Sequence, residues 1–150
     1  MRIARFIAAG FGTGDARIAP GTVASAAAVL SGAVLLLVSP LAVAVAALLA
    51  TVGGFVAVRR ADIRGDPGWV VIDEFAGQWI AMLALARPTM YGLLAAFVLF
   101  RIFDITKLGP VGWADRQHGA FGIMADDVIA GVIAALILGI ARAVLPDLFL

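Results

Sequence analysis

Long apolar runs separated by charged, Gly- and Pro-marked breaks limit what the chain can fold into. Five such runs fill most of its 150 residues: about Val23 to Val38, Leu41 to Val58, Trp69 to Ala86, Tyr91 to Phe103 and Val128 to Leu145. Only 14% of residues are charged and 63% are hydrophobic, whereas a soluble domain carries about a quarter charged residues. The chain is therefore expected to be an integral membrane protein. Roughly 20 apolar residues span a bilayer. The third and fourth runs are marginal on that count, so they are expected to be tilted, partly re-entrant or shielded by neighbours. Ser39-Pro40 ends the first run and Arg59-Arg60 closes the second. The polar stretch 59–68 reads as a loop, with Asp66-Pro67-Gly68 as its turn. Abundant Ala and Gly suit helices that pack closely in lipid. The expected fold is an all-α membrane bundle of about five apolar helices, preceded by an N-terminal amphipathic or loop segment, in one domain over residues 1–150. The start, MRIARFIAAGFGTGD, has too short an apolar run and too much glycine for a signal peptide, so it is expected in the mature protein.

The cations orient the bundle. With all five runs spanning and an inner N-terminus, Arg2, Arg5, Arg17, Arg59, Arg60, Arg64, Arg101, Lys107 and Arg116 lie inside, against Arg87 and Arg142 outside. Nine against two is a clear positive-inside bias. The same threading brings Asp15, Asp73, Glu74, Asp104, Asp126 and Asp127 to the inner face, although the acids played no part in setting it.

Five of the acids at that face gather at three places: Asp73-Glu74, Asp104 and Asp126-Asp127. A carboxylate in or beside a span is costly and needs a cation, a base or water as partner. Each group also has a local explanation. Asp73 and Glu74 could form a buried ion pair with an arginine. Arg101, Asp104 and Lys107 follow one another at i,i+3 and could form a salt bridge at a helix end. Asp126-Asp127 could cap the last helix. Two adjacent acids at one depth want more than one cation, however, and a cap uses only one aspartate. Together the acids make a set of hard oxygen ligands for Mg²⁺, which takes a few carboxylates plus water and substrate phosphate. Which of these acids binds metal and which acts as base stays open at this point. Arg101 and Lys107 suit a phosphate. His118, the one histidine, could act as a general acid or contact phosphate, or serve structure alone. Gly21-Thr22 at the start of the first run could offer N–H groups and a hydroxyl to phosphate, with Arg17 adding charge. Such a set supports metal-assisted hydrolysis of a phosphate ester at a membrane surface.

The absence of cysteine excludes disulfides, thiolate metal sites and Cys-based phosphatase chemistry. One histidine cannot make a two-histidine lipid phosphatase site. The glycine-rich stretch 10–25 lacks the Walker A lysine. There is no DxD start for an aspartyl-phosphate enzyme and no CDP-alcohol phosphotransferase signature. The rival from another class is a small ion or solute transporter, which would distribute acids in depth across several spans rather than at one face.

Three blocks carry a family resemblance: Gly10-Phe11-Gly12 through Ala19-Pro20-Gly21-Thr22, then Val71 to Trp79 (VIDEFAGQW), then Phe100 to Gly131. In these the chain resembles the phosphatidylglycerophosphatase A family of bacterial membrane enzymes. The resemblance implies an all-helical fold and Mg²⁺-dependent conversion of phosphatidylglycerophosphate to phosphatidylglycerol. It implies a multi-pass location in the bacterial inner membrane, with the active site facing the cytoplasm. The expected partners are that phospholipid and the bilayer, not a nucleic acid. Asp73, Glu74, Asp104 and Asp127 match the family's motif acids, which the resemblance implies as metal ligands and catalytic acids; Arg101, Lys107, Arg116 and His118 match its basic residues, which it implies for phosphate binding and catalysis. Leu108 stands where the family often has proline, and Ala120 where a second glycine is common.

Overall fold

A computed structural model describes residues 2–63, 65 and 67–149. Arg64, counted above toward the inner face, and Asp66 of the expected turn lie outside the described residues. The described chain is helical throughout, with no strand. Helix α1 (Arg2–Ala8) leads through a 3-10 turn (Gly10–Asp15) to α2 (Pro20–Val38) and α3 (Pro40–Arg60). Then come α4 (Ile72–Met82), α5 (Met90–Thr106), α6 (Pro110–Asp115) and α7 (Gly119–Val144), with a final 3-10 turn at Pro146–Phe149.

Local chemistry sets most boundaries. Proline opens α2, α3 and α6, where its fixed φ suits the first turn and its missing N–H costs nothing. The Ser39 and Thr89 hydroxyls cap α3 and α5 by accepting from the backbone N–H of Ala42 at 3.1 Å and of Gly92 at 3.2 Å. Helices α2, α3 and α7 are long and apolar enough to cross a membrane. Their outward faces carry exposed Leu30, Leu37, Leu41, Leu48, Leu49, Leu136 and Ile140. Lipid tails are as apolar as leucine, so a bundle in lipid has no need to bury them.

The third apolar run does not span as one helix. Of its residues only 72–82 are helical in α4, about 16 Å at the rise of an α-helix against a hydrocarbon core of about 30 Å. Trp69–Val71 precede the helix, with the Val71 N–H bonded to the Ala8 carbonyl at 2.9 Å. Nine of the eleven α4 residues are buried, packed among α2, α3, α5 and α7. The expected shielding by neighbours is thus what α4 has. Its tightest partner is α7: a side chain on Gly131 would run into the Gly77 carbonyl, and one on Gly77 into the Phe100 ring and the Asp127 carbonyl. Two glycines facing each other let the two backbones approach closely.

The last run starts nine residues earlier than expected, at Gly119. Asp126 and Asp127 are therefore interior residues of α7, and the N-cap reading fails. The cap position is His118, which makes no side-chain capping bond. The extension arises because Gly119–Ala125 packs on α6 and the core, which hydropathy alone does not register.

One end of the bundle gathers α1, the start of α2, the end of α3, the start of α4, the end of α5, α6 and the start of α7. At the other end the Arg142 guanidinium donates to the Ala84 carbonyl at 2.6 Å. Arg87 and Arg142 thus lie opposite the other described cations, as the threading by charge requires.

Candidate active site

The gathered end holds a cavity of about 210 Å³. Asp73 and Glu74 reach it from the first turn of α4, Asp104 from the last turn of α5, and Asp126 and Asp127 from the third turn of α7; Lys107 and Gly21 complete the wall. The five acids are only 3–9% exposed. Buried carboxylates in such number require specific partners.

Two cations supply part of that need. The Arg101 Nη1 group donates to Glu74 Oε1 at 2.6 Å and Oε2 at 2.7 Å, and pairs with Asp104 Oδ2 at 2.6 Å. Its other nitrogen, Nη2, lies 3.4 Å from the Thr22 hydroxyl. The Ser25 hydroxyl, fully buried, sits 2.5 Å from Glu74 Oε2 and 2.9 Å from the Gly21 carbonyl. A side chain at Gly21 would collide with Glu74 Oε1, so glycine there lets α2 close over the carboxylate. Lys107 ends α5 in a left-handed backbone conformation (φ 51°, ψ 40°). Its ammonium donates to Asp126 Oδ2 at 2.5 Å and Asp104 Oδ1 at 3.0 Å, with Asp115 Oδ1 at 3.6 Å. Burial alone would lower the lysine pKa. The hydrogen bond and charge of Asp126, with the charges of Asp104 and Asp127, outweigh that and hold it above the ordinary value. Backbone N–H groups take two further oxygens: Glu74 N–H donates to Asp73 Oδ1 at 3.0 Å, and Asp127 N–H to Asp126 Oδ1 at 2.9 Å.

The donor set fits a hard divalent cation. One carboxylate oxygen from each of Asp104, Asp126 and Asp127 lies within 4.8 Å of the others. Octahedral Mg²⁺ with bonds of about 2.1 Å puts neighbouring ligand oxygens about 3 Å apart and opposite ones about 4.2 Å apart, so closing on an ion asks these side chains to draw in by up to about an ångström. Five acids facing Arg101 and Lys107 also leave the formal charge of the cavity negative, which a dication would offset.

The structure therefore brings together Asp73, Glu74, Asp104 and Asp127 with Arg101, Lys107 and Thr22. Three other expected site residues stand apart. Arg17 is exposed on the turn before α2, and Arg116 is exposed at the end of α6. His118 lines a second polar cavity, of about 260 Å³, that shares Asp126 with the first. Among the described residues none of the three makes a hydrogen bond or ion pair to the cluster. Sequence reasoning did not single out Ser25, gave Asp126 no ligand role, and gave Gln78 no function. Gln78 is fully buried one turn after Glu74, and neither end of its amide has a partner among the described residues. A serine or glutamine inside an apolar segment was the available signal, since lipid-embedded polar groups seek partners. Leu108 and Ala120, the departures from the family pattern, line neither cavity.

The model of the family phosphatidylglycerophosphatase A matches residues 6–142. The chain belongs to the phosphatidylglycerophosphatase A family. A phosphatidylglycerophosphatase A of Escherichia coli is 39% identical over 136 residues, covering 88% of this chain and 79% of the relative. One of Haemophilus influenzae is 38% identical over 138 residues, covering 87% and 83%. A Bacteroides thetaiotaomicron relative, provisionally named a phosphatidylinositol-3-phosphatase, is 35% identical over 148 residues, covering 93% of each chain. No solved structure matches. Membership places the chain among membrane lipid phosphatases, and all three blocks quoted from its sequence lie within the matched region.

Proposed function

We propose that this chain hydrolyses the terminal phosphate monoester of phosphatidylglycerophosphate, with Mg²⁺, to give phosphatidylglycerol and phosphate at the cytoplasmic face of the inner membrane. The observation that carries the reading is the cavity walled by acids from α4, α5 and α7 and by Lys107, with Arg101 paired to two of those acids, Glu74 and Asp104. Asp104, Asp126 and Asp127 would hold the ion, with Asp73 on the same wall. When bound, Mg²⁺ supplies charge neutralisation at the phosphoryl oxygens and a more acidic water.

The protein's own groups supply the rest. Lys107 and Arg101 face the phosphate, each already fixed by a carboxylate and so pre-oriented. Thr22 and the first N–H groups of α2 add donors at a helix start. Glu74, gripped by Arg101 and Ser25, holds that arginine in place. As water adds to phosphorus, a cavity carboxylate takes its proton; the bond from phosphorus to the glycerol oxygen breaks, and that oxygen takes up a proton. His118, beside the shared Asp126, is the candidate donor.

The test is phosphate release by purified protein from phosphatidylglycerophosphate, phosphatidic acid and phosphatidylinositol 3-phosphate, with Mg²⁺ or with EDTA. The expected result is release chiefly from the first lipid, silenced by EDTA and restored by Mg²⁺. Asp104→Asn and Asp127→Asn should each cut activity by at least about 100-fold, the order seen when one group stabilising the transition state is lost, while the protein stays folded. Full activity in EDTA would sink the metal assignment. Release from none of the lipids would return the chain to the transporter reading.

A further inference from the structure

The second polar cavity has no place in the chemistry above except through His118. Its wall is built by Asp115, Gln117, His118, Gly119, Gly122 and the shared Asp126. The two cavities differ in charge. Lys107 lines the first, whereas among the described residues no lysine or arginine lines the second. Lys107 also pairs with Asp126 and lies 3.6 Å from Asp115 of the second cavity, so a phosphate held at Lys107 stands at the border of the two.

Beside His118, the second cavity offers hydrogen-bond acceptors. The carboxylates of Asp115 and Asp126 accept only, when ionised. One N–H of the Gln117 amide is held by the Trp113 carbonyl at 3.0 Å, and its oxygen is left to accept. Gly119 and Gly122 contribute no side chain, and a Cβ at Gly119 would meet nothing within 4 Å. At about 260 Å³ the space is large beside the roughly 30 Å³ of a water. Acceptors next to the phosphate cavity suit a hydroxyl on the group that carries the phosphate.

We infer that this cavity is the subsite for the glycerol that carries the scissile phosphate, its free hydroxyl donating to Asp115, Gln117 or Asp126. The inference rests on the proposed phosphatase reading and adds to it the source of substrate selectivity. In phosphatidylglycerophosphate the phosphate at Lys107 is followed by a glycerol with one free hydroxyl, which passes Asp126 into the second cavity. Phosphatidic acid carries its phosphate directly on the diacylated glycerol and has no such hydroxyl. A site whose acceptors await a hydroxyl discriminates against a substrate lacking it.

The experiment compares kcat/KM for phosphatidylglycerophosphate and phosphatidic acid in wild type, Gln117→Leu and Asp115→Asn, all in full-length protein in mixed micelles. Both variants alter solvent-accessible positions on the α6–α7 connection, so two chances of a folded protein are available. The expected result is a fall of about three- to tenfold in the ratio of the two constants, the worth of one hydrogen bond. A second readout is independent of turnover. Glycerol 3-phosphate should raise the melting temperature of wild type more than methyl phosphate does, and this advantage should vanish in the variants. Phosphate release with an unchanged ratio, or equal shifts by both ligands in wild type, overturns the subsite but leaves the phosphatase reading intact. No release from either lipid by wild type overturns both.

Discussion

Arg101 sits where two demands meet. Its spacing from Asp104 and Lys107 marks it in sequence as a phosphate cation, and the fold shows that it also bridges Glu74 on α4 and Asp104 on its own helix. Removing one partner of a buried pair strands the other, at about 3–5 kcal/mol. Arg101→Ala should therefore destabilise the protein by that order as well as weaken phosphate binding, and Glu74→Ala added to it should recover part of the loss. Unfolding measured in detergent for the two single variants and the double variant checks this; strictly additive losses would mean that the two side chains are not coupled. The acids of the site were legible in the sequence because a carboxylate at an apolar run has few other uses. Ser25 was not. A serine in a helix commonly bonds the carbonyl four residues back, as Ser25 does to Gly21, and nothing local reveals that it also meets an acid 49 residues away.

At the scale of elements, α4 is shielded by its neighbours as expected, and it is its bounds that depart from the run. The apolar run 69–86 looks continuous because hydropathy does not separate a helix from an extended or turning stretch that neighbouring helices bury. The all-helical bundle was nonetheless readable from the five apolar runs, but the shortness of α4 was not, since its run is as long as the second and the fifth. Its close contact with α7 was readable in part, since Gly77 marks a place where a neighbour approaches, but its partner Gly131 lies 54 residues on and no local pattern names it. The Asp126-Asp127 pair misled for a related reason: acids before an apolar run resemble a cap, while the helix in fact begins two turns earlier. The glycine contact sets the distance between Asp73 on one helix and Asp127 on the other. Gly77→Ala should push α4 and α7 apart, costing about 1–3 kcal/mol as overpacking does and lowering phosphatase activity through the displaced acids. A thermal melt in detergent paired with the phosphate-release assay tests this. Wild-type stability and activity together would show that the crossing tolerates a methyl group and does not set the site.

For the molecule as a whole, the arrangement of charge ties chemistry to topology. All five acids and both cations of the cavity lie at the end that also carries Arg2, Arg5, Arg59, Arg60 and Arg116, while Arg87 and Arg142 occupy the other end. Positive charge is retained on the cytoplasmic side of a membrane, so the cavity should open to the cytoplasm, where a lipid headgroup made on that side would reach it directly. The chain contains no cysteine, so a single introduced thiol reports its own side without background. Arg87→Cys and Arg116→Cys each replace an exposed side chain, one at either end. In intact cells a thiol reagent that cannot cross the inner membrane should label the Arg87→Cys protein and spare Arg116→Cys, and both should react once the membrane is dissolved. Labelling of Arg116→Cys alone in intact cells would invert the bundle, and the proposed phosphatase would then have to meet its substrate on the outer face.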